Sequence, residues 1–354
     1  MVEKVKPLPL TTRPKVSIVV PCYNYERYLA AAVTSALCQP KVEIEVIVAD
    51  NGSTDNSLEV AEKLAATDDR IRIHTQVRNV DYIRNFNDGL EMATGQYAQI
   101  LNADDMLTPG SITRAVALME NRPDVGFTYG SCPTFNENPP KLRTALRSWS
   151  IWDGHEWARR RYRSGSNVIR HPEALMRSST LRAAGGYNAN YPVAPDMLLW
   201  LQAAVRGNVG RVNGPDQGLF RVHGANMHLD LATEGWLTDL KGRQAVFEGL
   251  VELNLLTPVG SDDVAASRRA LALRAARYAS SAFDSRDSGQ RKHGLAYAEF
   301  ARDIWPAIED TRRWHGVTLR KEGALPRWRS DISRVQRNLR SNVGGALNRH
   351  LRRW

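Results

Sequence analysis

The residues whose types and spacing could do chemistry lie in three short polar clusters, each placed directly after an apolar run of this 354-residue sequence. The third cluster, Asn102-Ala103-Asp104-Asp105, sets two carboxylates side by side. Adjacent carboxylates repel each other unless a cation is present, and Mg²⁺ and Mn²⁺ prefer oxygen ligands and can bridge to a diphosphate. This cluster therefore indicates either a divalent-cation site or a loop that caps the next helix, where Asp is common.

The other two clusters each have two interpretations. In residues 50–53, Asp50 could accept a hydrogen bond from a nucleotide base or cap the following helix. In residues 21–24, Tyr23 could stack on a base or pack as an ordinary aromatic residue. From the residues alone, capping and ordinary packing are the simpler interpretations.

Hydrophobic periodicity predicts the elements that position these clusters. Strands are expected at residues 16–20, 43–49, 71–74, 97–101 and 126–129. Helices are expected at residues 26–38, from an N-cap at Ser53 or Thr54 to residue 66, and at residues 82–93 and 111–121. Such alternation is typical of a parallel, doubly wound sheet, whose ligands bind at the carboxyl ends of the strands, so the three clusters should meet in one crevice. Further helices are expected at residues 236–252, 263–284 and 290–304.

Composition excludes several classes of protein. The apolar content of 42% argues against a disordered chain, and no run reaches the ~18 apolar residues of a membrane-spanning helix. Three scattered cysteines argue against a disulfide framework or a zinc site. The N-terminus also lacks the apolar run of a secretion signal, so a cytoplasmic location is predicted.

The net charge of +10 resides in residues 311–354, which hold twelve Lys or Arg and two acidic residues. Trp328, Ile332, Val335 and Leu339 recur at helical spacing between arginines, which predicts a basic amphipathic helix for an anionic membrane surface. Such a helix would place the protein peripherally on the inner face of the cell membrane. The alternative is a helix docked on the protein itself. No nucleic-acid partner is expected, because the tail carries no recognisable nucleic-acid-binding motif.

In their order and spacing, the clusters resemble the motifs of glycosyltransferase family 2. Residues 19–24 resemble its VVPxYN pattern, residues 50–55 its DDGSTD turn with Asn51 as the second residue, and residues 83–105 its ARN…A.GEY…LDADD stretch. The resemblance extends over residues 15–230. It implies an α/β fold of the GT-A type, with a mostly parallel doubly wound sheet and a C-terminal helical extension.

The resemblance also implies a donor site. Nucleotide binding would fall to Pro21, Tyr23, Asn24, Asp50, Asn51, Arg84, Asn102, Ala103, Asp105 and Arg221. A divalent cation, Mn²⁺ or Mg²⁺, would be bound by Asp104 and by His223, which belongs to a stretch at residues 219–226 that resembles the pattern YRxHxxN. Asn102 replaces the leading Asp of the family pattern and supplies no charge there.

Two further segments imply the acceptor side of the site. Residues 194–200 resemble EDxDLWLR and put the catalytic base on Asp196, with Pro195 in place of the flanking Glu. Without the resemblance, an Asp after a Pro is more typical of a helix cap. Residues 181–187 resemble an R…GG(Y/F) turn, whose glycines could equally end a helix. The residues expected near the sugar or acceptor are Gly185, Gly186, Tyr187 and Trp200.

The implied function is an inverting transfer of a sugar from a nucleoside diphosphate of the UDP or dTDP type to an acceptor hydroxyl. The product would belong to envelope polysaccharide, glycolipid or natural-product glycosylation, and a lipid-linked acceptor would suit a membrane-bound tail. Asp196 would take the hydroxyl proton, the cation would stabilise the leaving diphosphate, and residues 210–230 would close over the donor.

Other functions are less well supported. A nucleotidyltransferase or a dinucleotide dehydrogenase is disfavoured, because no glycine-rich phosphate loop follows the first strand. The main alternative is a catalytically weakened glycosyltransferase-like scaffold at a membrane surface, which the replacements at Asn102 and Pro195 would allow. The implied organisation is an N-terminal tail (1–14), a GT-A-type glycosyltransferase domain (15–230), a helical extension (231–310) and a basic amphipathic tail (311–354).

Overall fold

The computed structural model describes residues 2–224, 236–256, 259–285 and 287–324, and the chain divides into two compact units. Described residues of the first unit lie within Met1–Arg160, Asn167–Gly224 and Leu250–Thr257. Those of the second lie within Arg161–Ser166, Ala225–Gly249 and Pro258–Trp354. The domain boundaries implied by the sequence stay predictions. The apolar positions of the tail helix, from Trp328 to Leu339, lie outside the described residues.

The first unit contains a nine-stranded sheet and a three-stranded sheet. The strands of the large sheet are β1 (Val2–Val5), β2 (Lys15–Cys22), β3 (Glu43–Asp50), β4 (Ile71–Thr75), β5 (Tyr97–Ile100), β7 (Val125–Tyr129), β9 (Ser148–Trp152), β10 (Leu175–Arg177) and β11 (Asn208–Asn213). Those of the small sheet are β6 (Met106–Leu107), β8 (Thr134–Phe135) and β12 (Gly218–Arg221). The segment expected as an N-terminal tail thus supplies an edge strand, β1.

The strand order of the large sheet is β1-β9-β11-β7-β10-β5-β2-β3-β4. β5, β2, β3 and β4 run parallel, and β11 runs parallel to β7. β10 is antiparallel to both β5 and β7, and β9 is antiparallel to β1 and β11. The predicted α/β class and parallel core are therefore confirmed within a sheet that is mixed as a whole.

Helices alternate with the strands and then follow them. In chain order up to β11 they are α1 (Leu29–Leu37), α2 (Ser57–Thr67), α3 (Tyr82–Glu91), α4 (Ser111–Asn121), α5 (Gly154–Ser164), α6 (Ser178–Ala184) and α7 (Pro195–Ala204). The later helices are α8 (Leu237–Glu252), α9 (Ser261–Phe283), α10 (Ser288–Ile304) and α11 (Arg312–Lys321). Within the described ranges, no helix is both long enough and apolar enough to cross a bilayer.

The parallel core is covered by helices on both faces. On one face, Leu29 of α1 belongs to the same buried apolar cluster as Ile18 of β2 and Val46 of β3. On the other face, α3 lies so close to β2 that a Cβ added to Gly89 would be 2.6 Å from Val19 Cγ1. This close packing fixes the carboxyl ends of β2 and β3, where two of the polar clusters begin.

Glu45 is a buried charge in the middle of β3, only 5% exposed. Its carboxylate accepts hydrogen bonds from the Ser17 hydroxyl, from the Thr94 backbone N–H at 2.7 Å and from the Thr94 hydroxyl at 2.9 Å, and Lys15 Nζ lies 3.0 Å away. Burial opposes ionisation, but these donors outweigh it and lower the pKa of Glu45 to about 2. Glu45 therefore ties β3 to β2 and to the loop before β5.

Replacing this carboxylate should weaken the fold in a pH-dependent way. We expect Glu45→Gln to lower the free energy of unfolding at pH 7 by about 1–3 kcal/mol, because buried donors lose a charged acceptor. Since the folded-state pKa is depressed, the carboxylate stabilises above its unfolded pKa, and the difference from wild type should shrink as the pH falls from about 4.5 towards 2. Urea denaturation at several pH values measures this. Glu43→Gln, at the exposed start of β3, is the control, and equal stability of the Glu45 variant and wild type at pH 7 would refute the assignment.

Candidate active site

The three polar clusters meet at one edge of the large sheet, as their positions after parallel strands predict. Cys22 at the end of β2 is in register with Asp50 at the end of β3, and Val19 of β2 is in register with Ile100 of β5. The first cluster, at residues 21–24, and the turn of the second, at residues 50–55, are also hydrogen-bonded to each other. Asn24, whose φ is 59°, accepts from the Thr54 N–H at 2.8 Å and donates its own N–H to Ser53 Oγ at 3.0 Å.

Asp50 is buried and holds the turn that follows it. One carboxylate oxygen accepts from the backbone N–H groups of Gly52 and Ser53, both at 3.1 Å, and the other accepts from the Ser53 hydroxyl at 2.5 Å. The N-cap expected at Ser53 or Thr54 is therefore wrong, because these residues belong to the turn and α2 begins at Ser57 with Asn56 as its N-cap.

Asn51 and Arg84 occupy different environments although both are expected at the nucleotide. Asn51 is buried, and its side chain donates to Val80 O at 2.9 Å and accepts from Val80 N–H at 3.0 Å, which positions the start of α3. Arg84 lies in the first turn of α3 with 68% of its side chain exposed. Tyr23 is 38% exposed, whereas Pro21 is buried at the end of β2. Tyr23 and Arg84 are thus exposed and Pro21 and Asn51 belong to the buried framework, while their roles at the nucleotide stay predictions.

The Asp104–Asp105 turn is held by Arg221 of β12. The Arg221 backbone N–H donates to Asp105 Oδ1 at 2.8 Å, and its Nε donates to the backbone oxygen of Asp104 at 2.8 Å. Asn102 Nδ2 donates to the other oxygen of Asp105 at 3.3 Å, and Ala103 between them is fully buried. Burial, and then the charge of Asp104, raise the pKa of Asp105 well above its ordinary value.

The Arg221 guanidinium is itself enclosed. Its carbon lies 4.7 Å from the ring centroid of Tyr28 and 4.3 Å from that of Phe135, and Nη1 donates to Asn136 O at 2.9 Å. The resemblance implies a direct role at the nucleotide, which stays a prediction. The observed contacts favour an additional role in positioning the acidic turn.

Asp104 and His223 form the candidate metal pair. Asp104 Oδ2 lies 3.0 Å from His223 Nε2, and the His223 ring packs 4.8 Å from Tyr28, centroid to centroid. Two ligands about 2.1 Å from one octahedral cation and at right angles would lie about 3.0 Å apart, so the pair fits a shared divalent ion. Over the described part of the chain, no group of three or more His, Cys, Asp or Glu side chains could hold a metal. The remaining ligands would have to come from a bound diphosphate or from water.

Asp196 lies in the first turn of α7, partly exposed, where Asn167 Nδ2 donates to its Oδ2 at 2.8 Å. The negative charge of Asp196 is felt by three aromatic side chains. After burial, it is the next cause that raises the pKa of Tyr82 and of Tyr187, and it opposes the lowering of the His171 pKa by burial. Asp196 therefore lies close enough to Tyr82, His171 and Tyr187 for its charge to act on all three.

The charges of Asp196 and Asp104 both act on the imidazole of His171. Desolvation lowers the pKa of its imidazole, and the charges of Asp196 and then Asp104 both act against that lowering. His171 Nε2 lies 2.9 Å from the Tyr187 hydroxyl, and its ring packs 6.0 Å from Trp200 of α7. Both charges act on one imidazole, so Asp104 and Asp196 lie in the neighbourhood of His171, and their roles in metal binding and base catalysis stay predictions.

The glycine pair after α6 presents Tyr187 to this site. Gly185, with φ at 83°, is the C-cap of α6, so the C-cap interpretation is confirmed for that residue. Gly186 has φ at 68°, and a Cβ there would lie 2.7 Å from Asn87 Oδ1. Asn87 of α3 in turn bonds both the N–H and the carbonyl of Tyr187, at 2.9 and 2.8 Å.

Three residues of the site were missed in the sequence. His171 lies in a short 3-10 helix (His171–Glu173), and Asn167 and Tyr82 lie at a loop and at the start of α3. None belongs to a recognisable pattern, and only the folded chain brings them to Asp196. Of the loop expected to close over the donor, residues 225–230 lie outside the described residues, and so does Asn226 of the last motif.

Comparison with known proteins identifies the domain that carries this site. Residues 17–183 match the family described as "Glycosyl transferase family 2". This range includes the three polar clusters and His171, whereas Asp196, Arg221 and His223 follow it.

Among curated relatives, an uncharacterized glycosyltransferase of Nostoc is 28% identical over 235 residues, which are 62% of this chain and 68% of that protein. A chondroitin synthase of Pasteurella multocida is 29% identical over 201 residues, which are 56% of this chain and 20% of the synthase. The chain thus matches about a fifth of the length of that polysaccharide synthase.

Two solved structures share the fold. TarS residues 1–349 of S. aureus are 15% identical and align with a TM-score of 0.58 over 87% of this chain and 88% of that chain. A mannosyltransferase of Pyrobaculum calidifontis, solved in complex with GDP-Man and Mn²⁺, is 19% identical with a TM-score of 0.50 over 85% of this chain and 90% of that one. At these identities the likeness concerns the fold alone, and it confirms the expected GT-A-type architecture.

The environments of Arg221 and Arg84 predict that replacing the first lowers stability strongly and that replacing the second hardly changes it. We expect Arg221→Gln to lower the free energy of unfolding by about 2–4 kcal/mol, because it removes a buried charge that holds the acidic turn. Arg84→Gln, on an exposed side chain, should change stability by less than about 0.5 kcal/mol. Chemical denaturation of both variants measures the difference, and a similar loss of stability in the two would contradict the proposed positioning role of Arg221.

Proposed function

Because residues 17–183 form a glycosyl transferase family 2 domain, we propose that this chain is an inverting glycosyltransferase that moves a sugar from a nucleoside-diphosphate donor to an acceptor hydroxyl. One observation carries the proposal beyond the family. Asp104 and Asp196, from distant parts of the sequence, act electrostatically on the same imidazole, that of His171. A carboxylate for the diphosphate end and a carboxylate for the acceptor would therefore be available in one site.

The nucleotide would lie along the edge formed by the first two clusters. Tyr23 offers an exposed ring for stacking on the base, and Arg84 offers an exposed guanidinium from the first turn of α3. Asp50, Asn51 and Asn24 keep the intervening turn in shape through the bonds described above. A uridine or thymidine diphosphate is the nucleotide proposed from the resemblance, and the guanosine diphosphate sugar in the Pyrobaculum complex makes guanosine the competitor to test.

A divalent cation, Mn²⁺ or Mg²⁺, would be held by Asp104 and His223, whose 3.0 Å separation fits such a role. When bound, it would offset the negative charge that develops on the leaving diphosphate. The protein's own contribution is to hold Asp104 in place, through the bond from Arg221 Nε to the Asp104 carbonyl. The Mn²⁺ in the Pyrobaculum complex supports this assignment without deciding it for this chain.

Asp196 would act as the catalytic base. One of its oxygens is fixed by Asn167, and no described residue donates to the other, Oδ1, which could receive the proton of the acceptor hydroxyl. The acceptor oxygen forms its bond to the anomeric carbon from the face opposite the diphosphate, while the bond from that carbon to the diphosphate oxygen breaks. This single displacement inverts the anomeric configuration.

Burial favours the neutral form of His171, which leaves its imidazole to position groups and not to compete for the proton. Its contact with the Tyr187 hydroxyl fixes Tyr187, and the His171 ring also packs against the Trp200 ring. Asp196 is itself partly shielded from solvent, and its charge acts on Tyr82 and Tyr187. Partial desolvation of this kind strengthens the base when an acceptor excludes the remaining water.

The acceptor is proposed as a growing polysaccharide or a related glycan, with glycolipids and natural products as further candidates. The match to part of a chondroitin synthase supports the polysaccharide. A cytoplasmic location, a lipid-linked acceptor and attachment to an anionic membrane through the basic tail stay predictions, because residues 325–354 lie outside the described residues.

The assignment of Asp196 as base predicts a separation of binding from turnover. The donor is first chosen from UDP, dTDP and GDP sugars by thermal shift with and without Mn²⁺. With that donor, Asp196→Asn should lower kcat at least about 100-fold, because the amide cannot take the proton, and should leave donor affinity within about twofold.

Asp303→Asn, at an exposed position of α10, is the matched control and should keep full activity. Turnover of Asp196→Asn near the wild-type rate would exclude the proposed base. Donor binding by wild type without turnover over a broad acceptor panel would favour the alternative of an inactive scaffold.

A further inference from the structure

The second compact unit, called the helical unit below, contains α9, α10 and α11. It carries an aromatic platform, which consists of Trp236, Tyr278 and Tyr297. The Trp236 ring, 43% exposed, stacks on Tyr278 of α9, with centroids 6.0 Å apart and planes at 22°. Tyr278 in turn packs 5.6 Å from Tyr297 of α10, whose hydroxyl accepts the Trp236 backbone N–H at 2.5 Å. Three aromatic side chains and a hydrogen bond thus hold an exposed indole face in a fixed orientation.

Basic residues surround this platform. Arg277 lies one residue before Tyr278, with its guanidinium carbon 5.9 Å from the Tyr278 centroid, and Arg274 lies one turn earlier on the same face of α9. Arg243 of α8 is paired with Asp239, with Nε 2.9 Å from Oδ2. Asp239, whose charge also acts on Arg274, is therefore already paired with Arg243.

Arg274 is the most unusual of these residues. Among the described residues, no carboxylate lies within ion-pair distance of its guanidinium, and no described hydrogen bond involves it. Burial, and then the charges of Arg243 and Arg277, lower its pKa. An arginine cannot shed its proton at physiological pH, so the cost of placing it there would be offset by an anion bound from outside.

We propose that Trp236, Tyr278, Arg274 and Arg277 form a binding site for an anionic glycan. The apolar C–H face of a pyranose ring suits the electron-rich face of the exposed indole. A carboxylate on the same or the next sugar suits the planar guanidinium groups, which bind carboxylates through two parallel hydrogen bonds. Three of these residues lie on α9, and Trp236 directly precedes α8.

A bilayer surface would require a different arrangement. Membrane-surface helices present a broad apolar face, and in the described part of the helical unit the large apolar residues that are exposed are Trp236 and Leu295. A single fixed indole beside two arginines matches a sugar ring with a charged substituent more closely than it matches a lipid surface.

That the bound glycan is the acceptor or product of sugar transfer rests on the proposed function, whereas the binding site itself does not. Its test therefore contains no nucleotide and no cation. The probe is a hyaluronan hexasaccharide, which carries a carboxylate on every second sugar, and the neutral control is maltohexaose. Isothermal titration calorimetry of the full chain at 0.1 M NaCl compares the two.

The hexasaccharide should bind at least tenfold more tightly than maltohexaose. Arg274→Gln and the exposed Arg277→Gln should each weaken its binding at least fivefold, and Trp236→Ala should do the same. Arg302→Gln is the matched control, since its side chain is 53% exposed and lies 3.8 Å from Glu309 on the same unit. It should keep its affinity within twofold, and thermal melting should show all variants folded.

Equal affinity of wild type, Arg274→Gln and Arg277→Gln for the hexasaccharide would overturn the proposal, because binding would then come from basic residues elsewhere, such as the tail. The proposal would also be overturned if the protein bound phosphatidylglycerol vesicles through Arg274 and did not bind the hexasaccharide. Failure here with intact sugar transfer would leave the proposed function standing, and loss of transfer in Asp196→Asn would not affect this binding assay.

Discussion

The turn that carries Asp104 and Asp105 places two carboxylates side by side in a largely buried position, and this arrangement constrains the rest of the site. Removing carboxylates from water costs several kcal/mol per ion unless hydrogen bonds replace the lost solvent. Arg221 supplies part of that replacement through its backbone N–H to the Asp105 carboxylate, and its guanidinium holds the turn through the Asp104 backbone carbonyl. Because Asp105 is satisfied within the turn, Asp104 is the carboxylate that is left to meet His223 and a ligand.

The same edge of the sheet explains why distant residues cooperate. β2, β3 and β5 run parallel, so the loops after them meet, and β12 closes against β6 beside the acidic turn. α7 then brings Asp196 near His171, and Asn167 holds one of its carboxylate oxygens. The chemistry proposed for a glycosyltransferase of family 2 thus depends on ordinary packing between elements that are far apart in sequence.

Much of this could be predicted from the sequence, and the failures have physical causes. The buried strands β2 and β3 and the helices α1 to α4 were recognisable because their apolar residues follow a clear period. β10 was not, because its three residues are too few to show a period, and the short β9, SWSIW, was not recognised either. The start of α2 was misplaced because Ser53 bonds to Asp50 instead of capping the helix. His171 was missed because only the folded chain brings it to the Tyr187 hydroxyl and near the charges of Asp196 and Asp104.

The central claim is that Asp104 and Asp196 both lie near His171 in one site. The most direct test is the pKa of His171, measured by NMR in wild type, Asp104→Asn and Asp196→Asn without added metal. Since each carboxylate favours the charged imidazole, the account predicts that each substitution lowers this pKa. An unchanged pKa in Asp196→Asn, in a protein that is otherwise folded as wild type, would show that the two carboxylates do not share a site.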